Sequence, residues 1–276
     1  MTASDRWIPA EGSPAGILQQ FPRPLEALVA GEIPGIVLRE AFDPAHCAGL
    51  VKRLYERGLA YDPRPAGEGE RPVYVGPHLA GLNADPEKFF AYAADTHRLF
   101  GSLFDGYGDP VETFYDSLSA LAPDKRVMTA REPDGRLYGP AAFRTYYAGA
   151  GHGPHFDSVA KRQKLFSYEV SRFRNQLAGV MCFQNSEKEG ECGEPFLYNC
   201  PWTPEVQRYI SEGAFAEYAA ERGIPRVQIQ LEPGDLYFFF SENIHEVPPV
   251  TGEKPRIVLA AFFGMSPEDE EIFVWS

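Results

Sequence analysis

The spacing of apolar residues changes part-way along this chain. Up to about residue 140 it is helical. Asp43-Pro44 places an N-cap before a Pro at the first helical position, and the pattern predicts a helix to about Gly58. Asp85-Pro86 repeats the device ahead of Phe89, Phe90, Tyr92, Ala93 and Leu99, which share one helical face. Asp109-Pro110 opens a third helix through Phe114 and Leu118 to Leu121. One short strand, 34–39, interrupts this half. Beyond residue 140 the period is that of strands, predicted over 143–148, 177–183, 195–198, 227–231, 236–240, 257–263 and 272–275, with turns at Pro233-Gly234-Asp235 and Thr251-Gly252-Glu253. A helical insertion spans 203–223. Many short strands in sequence predict a mixed α/β (α+β) fold. Its core would be a double-stranded β-helix, or jelly roll, with the N-terminal and inserted helices packed outside. We expect a single domain over 1–276, in which 1–140 is mainly helical support and a substrate loop and 141–276 is the jelly-roll core.

Composition narrows the function classes. The 276 residues are 44% apolar, ordinary for a soluble protein with a sizeable core. A formal net charge of −13 argues against a nucleic-acid partner, which needs a basic surface. No signal pattern opens the chain and no apolar run approaches the roughly 20 residues of a membrane span, so a cytoplasmic protein without a membrane partner is expected. The four cysteines, Cys47, Cys182, Cys192 and Cys200, form no C-x-x-C pair; a Cys192–Cys200 bridge and reduced thiols are both open, and the compartment favours thiols.

The candidate chemistry is in Gly153-Pro154-His155-Phe156-Asp157, with His245 and Arg256 downstream. Residues two apart on a strand share a face, so His155 and Asp157 aim at one point. His245 follows the aromatic strand and can face a barrel interior. Two imidazoles and a carboxylate are the ligand set of non-haem Fe(II) oxygenases. Arg256 stands at the mouth of an apolar strand, where a buried charge needs a partner. Its planar guanidinium matches a carboxylate bidentately and suits the distal carboxylate of 2-oxoglutarate. Each residue alone has a bland reading, such as a surface His-carboxylate pair, a core-edge His or a strand-edge Arg; the four together point to metal and co-substrate.

With Tyr146, Gly149, Pro249, Val250 and Gly252, these residues resemble the Fe(II)/2-oxoglutarate-dependent dioxygenase superfamily. Ser117–Leu121, Gly135–Ala141 and the closing Phe273-Val274-Trp275-Ser276 resemble the carrier-protein-independent halogenases that chlorinate indole alkaloids, and the N-succinyl-leucine hydroxylases are similar in size and style. The resemblance implies His155, Asp157 and His245 as iron ligands, Arg256 as the 2-oxoglutarate anchor, and Tyr146 as either a co-substrate contact or a barrel-core aromatic. Those halogenases have Gly at the carboxylate position, which leaves room for chloride. Asp157 stands there in this chain and implies hydroxylation.

The expected function is hydroxylation of an unactivated C–H bond of a small molecule, a polar amino-acid derivative or natural-product intermediate, using Fe(II), 2-oxoglutarate and molecular oxygen and releasing succinate and carbon dioxide. Desaturation, epimerisation or cyclisation by the same oxidant stays open, as does a cupin-like isomerase or ligand sensor that binds metal without consuming 2-oxoglutarate. Phe156, Leu197 and Phe239 are candidate apolar walls. The Pro/Gly-rich stretch 63–81 is either a lid or a solvated loop. The halogenase resemblance puts Arg71, Tyr74 and His78 near substrate, with His152 and Ala160 on the other side; Arg162, Arg172 and Arg174 are further candidates for an anionic group.

Overall fold

The computed structural model describes residues 7–69, 71–79, 85–162, 168–187 and 193–276. Helices among them are α1 Pro14–Gln20, α2 Pro24–Val29, α3 Pro44–Glu56, α4 Pro86–Leu103, α5 Pro110–Leu121, α6 Val159–Arg162, α7 Pro204–Ser211 and α8 Phe215–Glu221. Five begin with a polar cap followed by Pro. Asp43 accepts from the Ala45 amide at 2.7 Å, Asp85 from Lys88 at 3.0 Å and Asp109 from Val111 at 2.8 Å. Ser13 and Thr203 do the same for α1 and α7.

The strands are β1 Ala10–Glu11, β2 Ile36–Leu38, β3 Val73–Val75, β4 Arg126–Thr129, β5 Ala142–Tyr146, β6 His152–His155, β7 Asn175–Gln184, β8 Phe196–Pro201, β9 Arg226–Gln228, β10 Leu236–Phe239, β11 Asn243–Val247, β12 Arg256–Met265 and β13 Glu271–Trp275. Nine form a large sheet in the order β1-β2-β10-β7-β12-β13-β4, with β5 also on β12 and β3 on β5; four form a small sheet, β6-β11-β8-β9.

Side chains alternate across the large sheet and separate two environments. Ile257, Leu259 and Phe263 of β12, Leu177 and Met181 of β7 and Leu236 and Phe238 of β10 join the main core, with residues of α1, α2, α3, α4 and α5 packed on that outer face. Gly179 of β7 allows the close fit: a Cβ there would come within 2.5 Å of Phe114 on α5 and 2.7 Å of Phe238. The opposite set, Val258, Ala260, Val180, Tyr237 and Phe239, turns toward the small sheet.

The first half is less exclusively helical than its periodicity predicts. Besides the predicted strand at 34–39, observed as β2, it contributes β1, β3 and β4, two to four residues each, too short for an alternation to register. The second departure concerns His245. The chain leaves the large sheet after Phe239 and re-enters pairing at Asn243 in the small one, so His245 lies on its own strand, β11, and not at the end of β10. The insertion is two helices, α7 and α8. Cys47, Cys182 and Cys200 are buried free thiols, with burial pushing the first two up to about 12; Cys192 lies outside the described residues, and Cys200 carries no bridge.

Candidate active site

The site lies between the two sheets. In the small sheet β6 and β11 are antiparallel, and His155 pairs directly with His245, ring centroids 4.2 Å apart. Asp157 follows two residues after His155. Its backbone is fixed on both sides by Ser241, whose carbonyl accepts from the Asp157 amide at 2.8 Å and whose hydroxyl lies 3.1 Å from the Asp157 carbonyl. The Asp157 Oδ2 is 3.7 Å from His155 Nε2 and 3.4 Å from His245 Nε2. One ligand atom from each of the three lies within 4.8 Å of the others.

The far nitrogens decide what this cluster can hold. His155 Nδ1 is 2.7 Å from the Gly153 carbonyl and His245 Nδ1 is 2.9 Å from the Asn243 carbonyl. A carbonyl only accepts, so in the neutral rings Nδ1 carries the proton and the Nε2 lone pair faces Asp157. Backbone carbonyls that orient metal-binding imidazoles act in this way. Burial alone would raise the Asp157 carboxyl, but His245, His155 and Arg162 beside it hold it well below the usual carboxylate range. Burial, with His245 adjacent, pushes His155 down to about 3. Two lone pairs and an ionised carboxylate therefore converge, and a divalent cation between them stabilises all three.

Acid stability follows from the same electrostatics. Burial also lowers His78 to about 4, with Arg144 adding to the effect. Both histidines have native values below the roughly 6.5 of an unfolded chain, so as pH falls through 6.5 the unfolded state takes up protons that the native state refuses. The metal-free protein should lose about 2–4 kcal/mol between pH 7 and pH 5. The depressed Asp157 does not oppose this, because its contribution is lost only below about pH 4. Urea denaturation of the metal-free protein at pH 7, 6 and 5 measures the slope, and His78→Asn should flatten it.

The cavity is lined on the large-sheet side by Arg144, Tyr146, Val180, Phe239, Arg256 and Val258, among others, and on the small-sheet side by His152, His155 and His245. Arg256, the first residue of β12, is 3% exposed and pairs in register with Tyr146 of β5. Its guanidinium carbon is 5.9 Å from the Tyr146 ring, and its Nε has no hydrogen-bond partner. Among the described residues it makes no ion pair with a carboxylate.

The other sequence candidates divide. Tyr146 and His152 both line the cavity, in edge contact at 5.7 Å. Tyr74 and His78 stack at 4.8 Å beside Arg144. Arg71 is exposed and pairs with Glu68, and Ala160 is exposed on α6; neither lines the cavity. Arg162 approaches Asp157 to 3.9 Å, whereas Arg172 and Arg174 pair with acidic residues of the 268–271 segment. Ala80 and Gly81 lie outside the described residues. Phe239 lines the cavity and Leu197 packs beside it within the sandwich. Phe156 is not a wall of the cavity. It points outward and stacks on Trp202 at 4.7 Å, because it alternates with the two residues that face inward.

Two residues escaped sequence reasoning. Ser241 gave no signal, since its role is a backbone contact. Arg144 did: it lies two residues before Tyr146 on a predicted strand and so shares its face.

Residues 14–276 match the family model described as carrier-protein-independent halogenase WelO5. The chain belongs to that family. It is thus an enzyme of the Fe(II)/2-oxoglutarate-dependent oxygenase class, and His155, Asp157 and His245 form a group that could hold a metal ion. Among solved structures it is similar to an N-substituted L-amino acid dioxygenase from Burkholderia ambifaria AMMD, at 19% identity over 91% of this chain and 90% of that one, with a TM-score of 0.59. The same dioxygenase in complex with alpha-ketoglutarate aligns at 17% identity over 91% and 90% of the two chains, with a TM-score of 0.54. It is also similar to SnoN, a non-haem alpha-ketoglutarate-dependent epimerase of nogalamycin biosynthesis, at 18% identity over 90% and 88%, with a TM-score of 0.50. Comparison with curated protein sequences gives no match. No helix among the described residues is long and apolar enough to cross a membrane.

Proposed function

We propose that this member of the halogenase family is a hydroxylase of a small polar molecule, an amino-acid derivative or natural-product intermediate, and that its two facing sheets form a jelly-roll core. His155, Asp157 and His245 would hold the iron, and Arg256 the distal carboxylate of 2-oxoglutarate, with the Tyr146 ring beside it. The observation that carries this reading is Asp157. It is ionised, backbone-fixed and aimed between two imidazoles, which supports a carboxylate ligand where a halide would otherwise bind. Bound iron with 2-oxoglutarate and oxygen supplies an oxidant able to break an unactivated C–H bond. The chain's residues position and shield it. His155 and His245 present fixed lone pairs, Arg256 sets the depth at which a dicarboxylate stops, and Val180, Val258, Ala260 and Phe239 exclude water.

An anaerobic titration of metal-free protein with Fe(II) and 2-oxoglutarate tests the site. A weak visible metal-to-ligand charge-transfer band is expected only when both are present, followed by succinate release with substrate and oxygen. Metal binding without that band would overturn the role of Arg256 and favour a metal-binding module.

A further inference from the structure

The cavity contains a second guanidinium besides the one assigned above to 2-oxoglutarate. Arg144 projects from β5 onto the same face as Tyr146 and lines the cavity together with the three candidate ligands. Its guanidinium carbon sits 5.8 Å from the Tyr74 ring and 5.7 Å from the Phe262 ring. Its Nε is buried without a hydrogen-bond partner, and among the described residues it makes no ion pair. In the ladder Arg256 is opposite Tyr146 and Arg144 is opposite Val258. The two arginines are therefore diagonal neighbours on one face, their backbones roughly 7–8 Å apart by sheet geometry.

Charge accounting shows what Arg144 lacks. Two arginines and a divalent metal would face one carboxylate, Asp157, and one dianionic co-substrate, whose carboxylates are both engaged, one at Arg256 and one at the metal. One positive charge in the cavity remains uncompensated (solvent-facing Arg162 aside). Arg144 is half-buried and its side chain hydrogen-bonds Tyr146, but it has no anionic partner among the described residues; a partly desolvated cation without one is costly, and a planar fork between two rings is shaped for a bidentate anion. Tyr74 also ties this position to the 63–81 stretch, on the substrate side.

We propose that Arg144 receives a carboxylate of the primary substrate, and so selects acidic molecules of the N-acyl amino acid type over their amides and esters. This rests on the iron and 2-oxoglutarate reading above.

The test uses N-acetylglycine and N-acetylglycinamide as probes, observed by saturation-transfer NMR on the Zn(II)- and 2-oxoglutarate-loaded protein. The carboxylate should bind in the millimolar range and the amide at least about tenfold more weakly. Arg144→Met should erase that preference and Arg144→Lys should keep part of it, while the 2-oxoglutarate affinity from the charge-transfer titration changes less than about threefold. Met is similar in length and removes an unpaired charge, so folding should persist; an unchanged melting curve checks this. The proposal is overturned if the wild-type protein binds both probes equally or neither. It is overturned too if Arg144→Met weakens 2-oxoglutarate tenfold or more, which would assign Arg144 to the co-substrate. Failure of the charge-transfer band in the wild-type protein would instead sink the iron reading, with the probe preference still measurable on the protein without additions.

Discussion

Asp157→Gly should abolish hydroxylation, lowering product formation by at least about 1000-fold, equivalent to about 4 kcal/mol of lost transition-state stabilisation. The loss should come from the metal site and not from the fold. Asp157 is held by its backbone amide and carbonyl against Ser241, contacts that Gly retains. The conformational freedom gained by the unfolded chain costs only about 0.5–1 kcal/mol. What disappears is the anion that compensates the metal between His155 and His245. Fe(II) affinity should fall by about 100-fold, and the position opened should accept a small anion. Titrating chloride into the anaerobic Fe(II) and 2-oxoglutarate complex checks this: the charge-transfer band should shift in the variant and stay in place in the wild-type protein. Hydroxylation at the wild-type rate would remove Asp157 from the ligand set. Gain of chlorination is a separate matter, because it would also require the substrate to be held where halide transfer outruns hydroxyl transfer.

How far this site was legible depended on whether a residue acts through its side chain and its own strand. His155 and Asp157 were readable because a two-residue spacing is enough to bring them together. His245 was readable as a residue type in the right order, but not its placement: the crossing from the large sheet to the small one takes only a few residues after Phe239, and no local pattern marks it. The direct pairing of His245 with His155 depends on a ladder between distant segments, which periodicity does not encode. Arg144 shows an omission of a different kind, since the strand and its inward face were already predicted and Tyr146 had been singled out on them. The outward turn of Phe156 follows from the same alternation that turned His155 inward. The strand over 34–39 was legible and is β2, whereas β1, β3 and β4 were lost for a physical reason: two to four residues held by pairing with longer neighbours need no amphipathic pattern of their own. The capped helices were the most legible elements, because Asp-Pro fixes the start of a helix locally.

Arg256→Met should weaken 2-oxoglutarate binding by about 100-fold or more, the order expected for losing a bidentate charged contact, and should leave turnover near background at ordinary co-substrate concentrations. Stability should not fall. Arg256 is 3% exposed with an unpartnered Nε, so the variant exchanges an uncompensated buried charge for an apolar chain of similar length, a change that is neutral or stabilising. A melting temperature equal to or above that of the wild-type protein, together with lost affinity, would separate binding from structure. A thermodynamic cycle makes the assignment specific. 2-Oxopentanoate has the keto-acid end and chain length of 2-oxoglutarate but a methyl group in place of the distal carboxylate. The wild-type protein should bind it about 100-fold more weakly than 2-oxoglutarate, whereas the Met variant should bind the two within about threefold of each other. Arg256→Lys, which keeps the charge and loses the planar fork, should fall between them. If the variant still discriminates between the two acids as the wild-type protein does, the distal carboxylate is held elsewhere in the cavity. Arg144 is then the cation left to hold it, and a substrate carboxylate would have no guanidinium of its own.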